Sequence, residues 1–129
     1  MIILMYSTMG FVRLAKSFVY AGRGLKHVFK SEQNFRIQII SGLIVLVAAC
    51  VLPLQTWERI LVMLLVLLVL LVEILNTVFE YVTDLLKPRL HHYVYVIKDI
   101  MAGAVLLTSF VALVVGFVIF FPYLENLVK

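Results

Sequence analysis

Apolar positions along the chain follow three different rhythms. From Phe11 to Phe29 they recur at helical spacing, with Phe11, Leu14, Ala15, Phe18, Leu25 and Phe29 on one side. Arg13, Lys16, Tyr20, Arg23, His27 and Lys30 gather on the other. That pattern predicts an amphipathic helix over 11–30 with a basic face, suited to lying in a membrane interface. Gly22 and Gly24 weaken it midway, where a bend or a close approach by another group is expected. The second rhythm is unbroken apolarity. Ile37 to Trp57 and Ile100 to Leu124 contain no charged residue, and each is long enough for the ~20 apolar residues that cross a bilayer.

The third rhythm is mixed. Ile60 to Val72 is wholly apolar but too short to span alone, and it reaches spanning length only if the helix continues through Glu73 and Glu80. At about 100° per residue, Asn76, Thr77, Glu80 and Asp84 all fall within about 60° of Glu73. A polar stripe therefore runs down one face of an otherwise apolar helix. Ionisable groups are costly in that setting, so their default reading is functional. The expected fold is an all-α membrane protein in a single domain over 1–129. It has an N-terminal amphipathic surface helix and three transmembrane helices at 35–54, 56–86 and 98–121.

Composition supports the membrane assignment: 64% of the residues are hydrophobic and the mean hydropathy is +1.13, well outside the range of soluble domains. The net charge of +4 is unevenly spread. Arg13, Lys16, Arg23, Lys26, Lys30 and Arg36 precede the first span, and Lys87, Arg89 and Lys98 flank the second connection. The first connection holds only Arg59, beside Glu58. The positive-inside rule then puts the N-terminus and the second connection in the cytoplasm. The basic excess suits anionic headgroups or a phosphorylated substrate rather than nucleic acid.

Several features read as structural. The single Cys50, inside the first span, provides no disulfide or metal cluster and suits packing. Met1 to Met5 is apolar but too short for a signal peptide, and reads as a frayed extension ahead of a second candidate start at Met9. Pro53 ends the first span, and Trp57 marks the interface beyond it. Ala102, Ser109 and Gly116 recur every seven residues, with Ala112 close by, a stripe that lets membrane helices pack closely. His91 and His92 point about 100° apart if helical, which argues against a shared metal.

The remaining polar residues suggest chemistry. Glu32, within Ser31–Arg36, has two readings: an ion pair with Lys30 or Arg36, or a metal ligand beside Glu80. Two carboxylates with phosphate oxygens suit Mg²⁺, and a lysine such as Lys98 suits the charge of a transferring phosphoryl group. Glu73 lies about 10 Å from Glu80 along the helix, at a depth where it could accept the proton of a lipid hydroxyl. A Walker-type phosphate loop is absent from the sequence. A proton-coupled transporter, or a helix bundle without catalysis, would also place carboxylates on one inner face. Transport, however, calls for polar groups across the whole membrane, and here they are confined to one half.

Glu73-Ile-Leu-Asn76-Thr-Val-Phe-Glu80-Tyr-Val-Thr-Asp84, followed by Lys98-Asp99-Ile-Met-Ala-Gly-Ala, resembles the signature of the prokaryotic diacylglycerol kinase and undecaprenol kinase family. The similarity extends over Gly10–Arg13, Tyr20, Gly24–Leu25, Ser31–Arg36 and the closing Phe121-Pro-Tyr-Leu. It implies a small lipid kinase of the bacterial inner membrane, working as a homotrimer with ATP and Mg²⁺ at the cytoplasmic face. By position, Glu73 would be the general base and Glu32 and Glu80 the metal ligands. Asn76 and Asp84 would support the site. Arg13, Tyr20, Glu32, Glu80, His91, Lys98 and Asp99 would hold the nucleotide, with Lys98 at the transferring phosphate. The stretch 89–97 departs from the family pattern, with Arg89-Leu-His91 where a glutamate-containing loop is usual and Ile97 in place of alanine. The Glu32–Arg36 junction and the closing Phe-Pro-Tyr-Leu look more like the undecaprenol branch.

Overall fold

The structure is a computed structural model that describes residues 2–86 and 91–128, with side chains described over 10–86 and 93–126. Four helices make up the described chain: α1 Ile2–Ser31, α2 Gln33–Val51, α3 Thr56–Leu86 and α4 His91–Val128. Two compact units are distinguished, Met1–Gln33 and Asn34–Lys129. α2, α3 and α4 are each long and apolar enough to cross a membrane. This is an all-α membrane protein.

α1 makes up nearly all of the first unit. It begins at Ile2 rather than after a frayed extension, because nothing from Ile2 to Phe11 breaks a helix except the tolerated Gly10. Gly22 and Gly24 do not interrupt it, and no bend residue with positive φ occurs at either. Arg23 stacks its guanidinium 5.9 Å from the Tyr20 ring centroid, a cation–π contact on the polar face. The helix closes at Ser31, where the Glu32 N–H still donates to Val28 O at 2.8 Å.

In the second unit, α2 stops where the sequence requires. Pro53 has no N–H and disfavours helical geometry at Leu52, so the final bond is Leu52 N–H to Ala48 O. The turn restarts as α3 through a capping arrangement. Gln55 precedes the helix, and Glu58, three residues on, accepts its backbone N–H at 2.7 Å. Trp57 Nε1 donates to Gln55 Oε1 at 2.6 Å and steadies the same turn.

α3 packs most extensively on α4. Near the α2–α3 turn, Ala49, Leu54, Val62 and Ile119 form a buried cluster drawn from all three helices. α2 meets α3 closely at Gly42, where an added Cβ would lie 2.8 Å from Val66 Cγ1, so the absent side chain is what permits the approach. α4 runs from His91, seven residues ahead of the expected 98, since Tyr93-Val-Tyr-Val-Ile offers nothing to end a helix. It also continues through Pro122 and past the expected end at 121. Hydroxyls along these helices bond back to their own backbone: Thr77 to Glu73 O, Thr83 to Glu80 O, Thr108 to Ala104 O. That satisfies each polar group where lipid offers no partner. Lys87, Pro88, Arg89 and Leu90, the core of the altered connection, lie outside the described residues.

Candidate active site

The helical stripe survives as a single face of α3. Glu73 is 1% exposed, Asn76 and Thr77 are buried beside it, Glu80 is half-buried, and Asp84 is exposed at the end. Exposure is thus greater at the Asp84 end of the stripe than at the Glu73 end, as expected for a face that leaves the apolar interior. Glu73, Asn76 and Glu80 line a cavity of about 360 Å³ together with Asn34 of α2. Ala102, Val105, Leu106 and Ser109 close it from α4.

Hydrogen bonds fix three of these groups. Gln38 Nε2 donates to Glu73 Oε2 at 3.0 Å, tying α2 to α3. Asn76 Nδ2 donates to Glu80 Oε1 at 3.0 Å, one turn along the same face. Asn76 Oδ1 and Gln38 Oε1 are buried with no hydrogen-bond partner among the described residues, a costly arrangement that marks a site built to receive something. Lys98 of α4 reaches across to Asp84, Nζ to Oδ1 at 2.7 Å, and also lies within the field of Glu80. Glu80 therefore sits between an amide donor and a lysine.

A second cavity of about 300 Å³ adjoins this one. It is apolar, lined by Gly42, Val45, Val62, Val66, Val69 and neighbouring residues, and Ser109 borders both cavities. Gln38 lines the apolar cavity while its amide holds the glutamate of the polar one. The α4 stripe of small residues borders these spaces within the chain. Ala102 faces the polar cavity, Ala112 and Gly116 the apolar one, and a Cβ added at Gly116 would meet open space.

Arg13, Tyr20 and Glu32 belong to the first unit, where Arg13 and Tyr20 are exposed. Asp99 is exposed on α4, and the side chain of His91 lies outside the described residues. Among the described residues, no group of three or more His, Cys, Asp and Glu side chains gathers as a metal site. Two participants escaped the sequence reading. Gln38 and Asn34 are two of the polar residues in the first turns of α2, four apart and hence on one face, but the sequence does not show what that face meets. Glu58, read as the neighbour of Arg59, instead accepts Tyr123 O–H at 2.6 Å as well as the Gln55 N–H, a contact between chain positions too distant to pair by inspection.

A model of the family described as prokaryotic diacylglycerol kinase matches residues 19–120. An undecaprenol kinase of Bacillus subtilis is 33% identical over 112 residues, covering 87% of this chain and 91% of that protein. A diacylglycerol kinase of Synechocystis is 38% identical over 115 residues, 88% of this chain and 66% of the longer relative. The diacylglycerol kinase of Escherichia coli K12 is 34% identical over 108 residues, 84% of this chain and 88% of that protein. With a buried glutamate facing a polar cavity on the helix that carries the family signature, the chain belongs to the prokaryotic diacylglycerol kinase family of membrane lipid kinases.

Proposed function

We propose that this lipid kinase moves the γ-phosphoryl group of ATP onto the hydroxyl of a membrane lipid alcohol, with Glu73 as general base. The single observation that carries this reading is the Glu73 carboxylate. It is buried, held by an amide, and set where a polar cavity adjoins an apolar one. A lipid alcohol has the matching form, a polar head on a hydrocarbon chain. In the transfer, the hydroxyl proton passes to Glu73 as the lipid oxygen attacks the γ-phosphorus. The bond from phosphorus to the bridging oxygen breaks, and ADP leaves with its electron pair. The proton then returns from Glu73 to water.

The donor set suits Mg²⁺. Glu80 offers carboxylate oxygens and Asn76 a buried, unpartnered amide oxygen, the hard ligands that this ion takes. Glu80 would hold the ion, with Glu32 as the second carboxylate of the family pattern. The ion supplies charge neutralisation for the phosphates. Lys98, held by Asp84 in the resting state, is released to the transferring phosphate. Arg13, Tyr20, His91 and Asp99 complete nucleotide binding. The assembly is a homotrimer in the bacterial inner membrane, with the N-terminus and the active site cytoplasmic. The many exposed Leu, Val, Ile and Phe side chains of the spans support burial against lipid or further copies.

Undecaprenol and diacylglycerol, named for the relatives, are the two candidate acceptors. Purified protein in bilayers, given ATP and Mg²⁺, is offered each lipid separately. Transfer to one of them supports the assignment and names the substrate; transfer to neither sinks it. Proton transport is the weaker reading, because α3 from Ile60 to Val72 is apolar between Glu58 and Glu73.

A further inference from the structure

Between Gly10 and Ser31, α1 carries five cations, Arg13, Lys16, Arg23, Lys26 and Lys30, and no acid. The helix is unbroken there, and Lys16, Arg23 and Lys30 repeat every seven residues. They therefore form one stripe, with Lys26 about 60° to its side. Phe11, Leu14, Phe18 and Leu25 lie across from it, within about 60° of one another, and each is more than half exposed. Lys16, Arg23 and Lys26 are exposed as well. An exposed apolar arc opposite an exposed cationic stripe matches a bilayer surface that carries negative charge. The arc enters the acyl boundary, while the long basic side chains stay among the lipid phosphates. A zwitterionic surface answers only the apolar half of this pattern.

We propose that α1 senses the charge of the membrane surface, and that the product of the reaction is one of the charges it senses. The acceptor alcohol is neutral, whereas a phosphate monoester carries about 1.5 to 2 negative charges near neutral pH. Each turnover thus makes the leaflet more negative. A Lys or Arg close to such a surface gains from its potential, and the gain fades within a Debye length. Docking of α1 accordingly strengthens as product accumulates. Arg13 and Tyr20, proposed above for the nucleotide, lie more than about 120° from the centre of the apolar arc. Docking therefore keeps them on the water side, where ATP arrives. The stripe also offsets the repulsion that a negative surface exerts on ATP. Turnover accelerates as the product builds up. Only this feedback depends on the kinase reaction proposed above; recognition of an anionic surface does not.

Phe18→Trp puts an indole in the apolar arc, and its emission is read after subtracting that of the parent, whose single tryptophan is Trp57. The protein is reconstituted in vesicles of phosphatidylcholine alone, or mixed with phosphatidylglycerol or with phosphatidate. A blue shift is expected in both anionic mixtures and is lost at high salt. Inorganic phosphate added to phosphatidylcholine vesicles leaves the emission unchanged. Combining Lys16→Gln and Lys26→Gln, which barely alters helix propensity, lowers the docked-to-free ratio by about 30-fold. Lys16→Arg with Lys26→Arg restores it. Emission that ignores anionic lipid, or a shift that survives in the double Gln variant, overturns the proposal. Glu73→Gln added to Phe18→Trp docks normally, because docking needs no turnover. For the feedback, lipid phosphorylation in phosphatidylcholine vesicles starts with a lag that premixed phosphatidate removes. The double Gln variant keeps the initial rate but never accelerates. A linear time course in the parent overturns the feedback. If no lipid is phosphorylated at all, the kinase reading fails, and the emission still decides what α1 recognises.

Discussion

Glu58 and Glu73 lie on one helix, roughly four turns apart, and both are buried, at 8% and 1% exposure. Glu58 closes a turn. Its Oε2 accepts the Gln55 N–H and the Tyr123 O–H, which ties the start of α3 to the end of α4. The cost of burying its charge is offset by donors that the fold supplies permanently. Glu73 is held by a side-chain amide from α2 and faces a cavity that Asn76 and Glu80 share. Burial alone therefore does not tell a carboxylate that closes a turn from one that lines a cavity. The difference lies in where each sits: Glu58 ties two helix ends together, and Glu73 lines a cavity with Asn76 and Glu80.

The comparison is open to direct attack, and the largest effect is expected at Glu73. Glu73→Gln preserves shape and the contact with Gln38 while removing the base, so kcat falls by about 10²- to 10⁴-fold. Thermal unfolding of the same variant in detergent stays close to that of the parent. An active Glu73→Gln would erase the distinction between the two glutamates. Next comes Glu80→Gln, one neutralised ligand on the same face. The Mg²⁺ concentration for half-maximal activity rises by about tenfold or more, since even outer partners of a metal are worth that much; an unchanged Mg²⁺ titration would remove Glu80 from the metal.

At the opposite end of α3 the pattern inverts. Tyr123→Phe deletes one donor to a charged acceptor and lowers the temperature of thermal unfolding, with kcat unaffected at temperatures where the protein is folded. A large loss of kcat in folded Tyr123→Phe would show that the Glu58 end takes part in turnover. The smallest effect is expected at Asp84→Asn. The Lys98–Asp84 pair is exposed, 33% and 55% for the two side chains, and exposed pairs are worth about 0–1 kcal/mol. Activity accordingly changes by no more than a few-fold, measured as the initial rate of lipid phosphorylation.

Much of this site was legible in the chain because its principal residues share one helix. Seven residues separate Glu73 from Glu80, and helical geometry alone puts them on one face with Asn76 and Asp84. The greater exposure of its Asp84 end follows from the same order. Lys98 was within reach too, since Asp84 near the end of α3 and Lys98 two turns into α4 flank one short connection. Gln38 was not. It is one amide in a nearly apolar span, and only the crossing of α2 over α3 brings it to Glu73. The small residues of α4 show a related limit. Their periodicity shows a face but cannot show whether a helix or a cavity lies opposite.

By itself, then, the sequence determined that three apolar helices cross a membrane, that a basic amphipathic helix precedes them, and that one helix carries carboxylates at a spacing too regular to be accidental. Those properties depend on local periodicity and on transfer of side chains between water and lipid, and both act along the chain. The tertiary structure alone decided which buried glutamate ties two helix ends together and which lines a cavity. It did so by setting Tyr123 against Glu58 and Gln38 against Glu73. Partners from distant positions and the space left between helices are properties of packing in three dimensions, and no window along the sequence contains them.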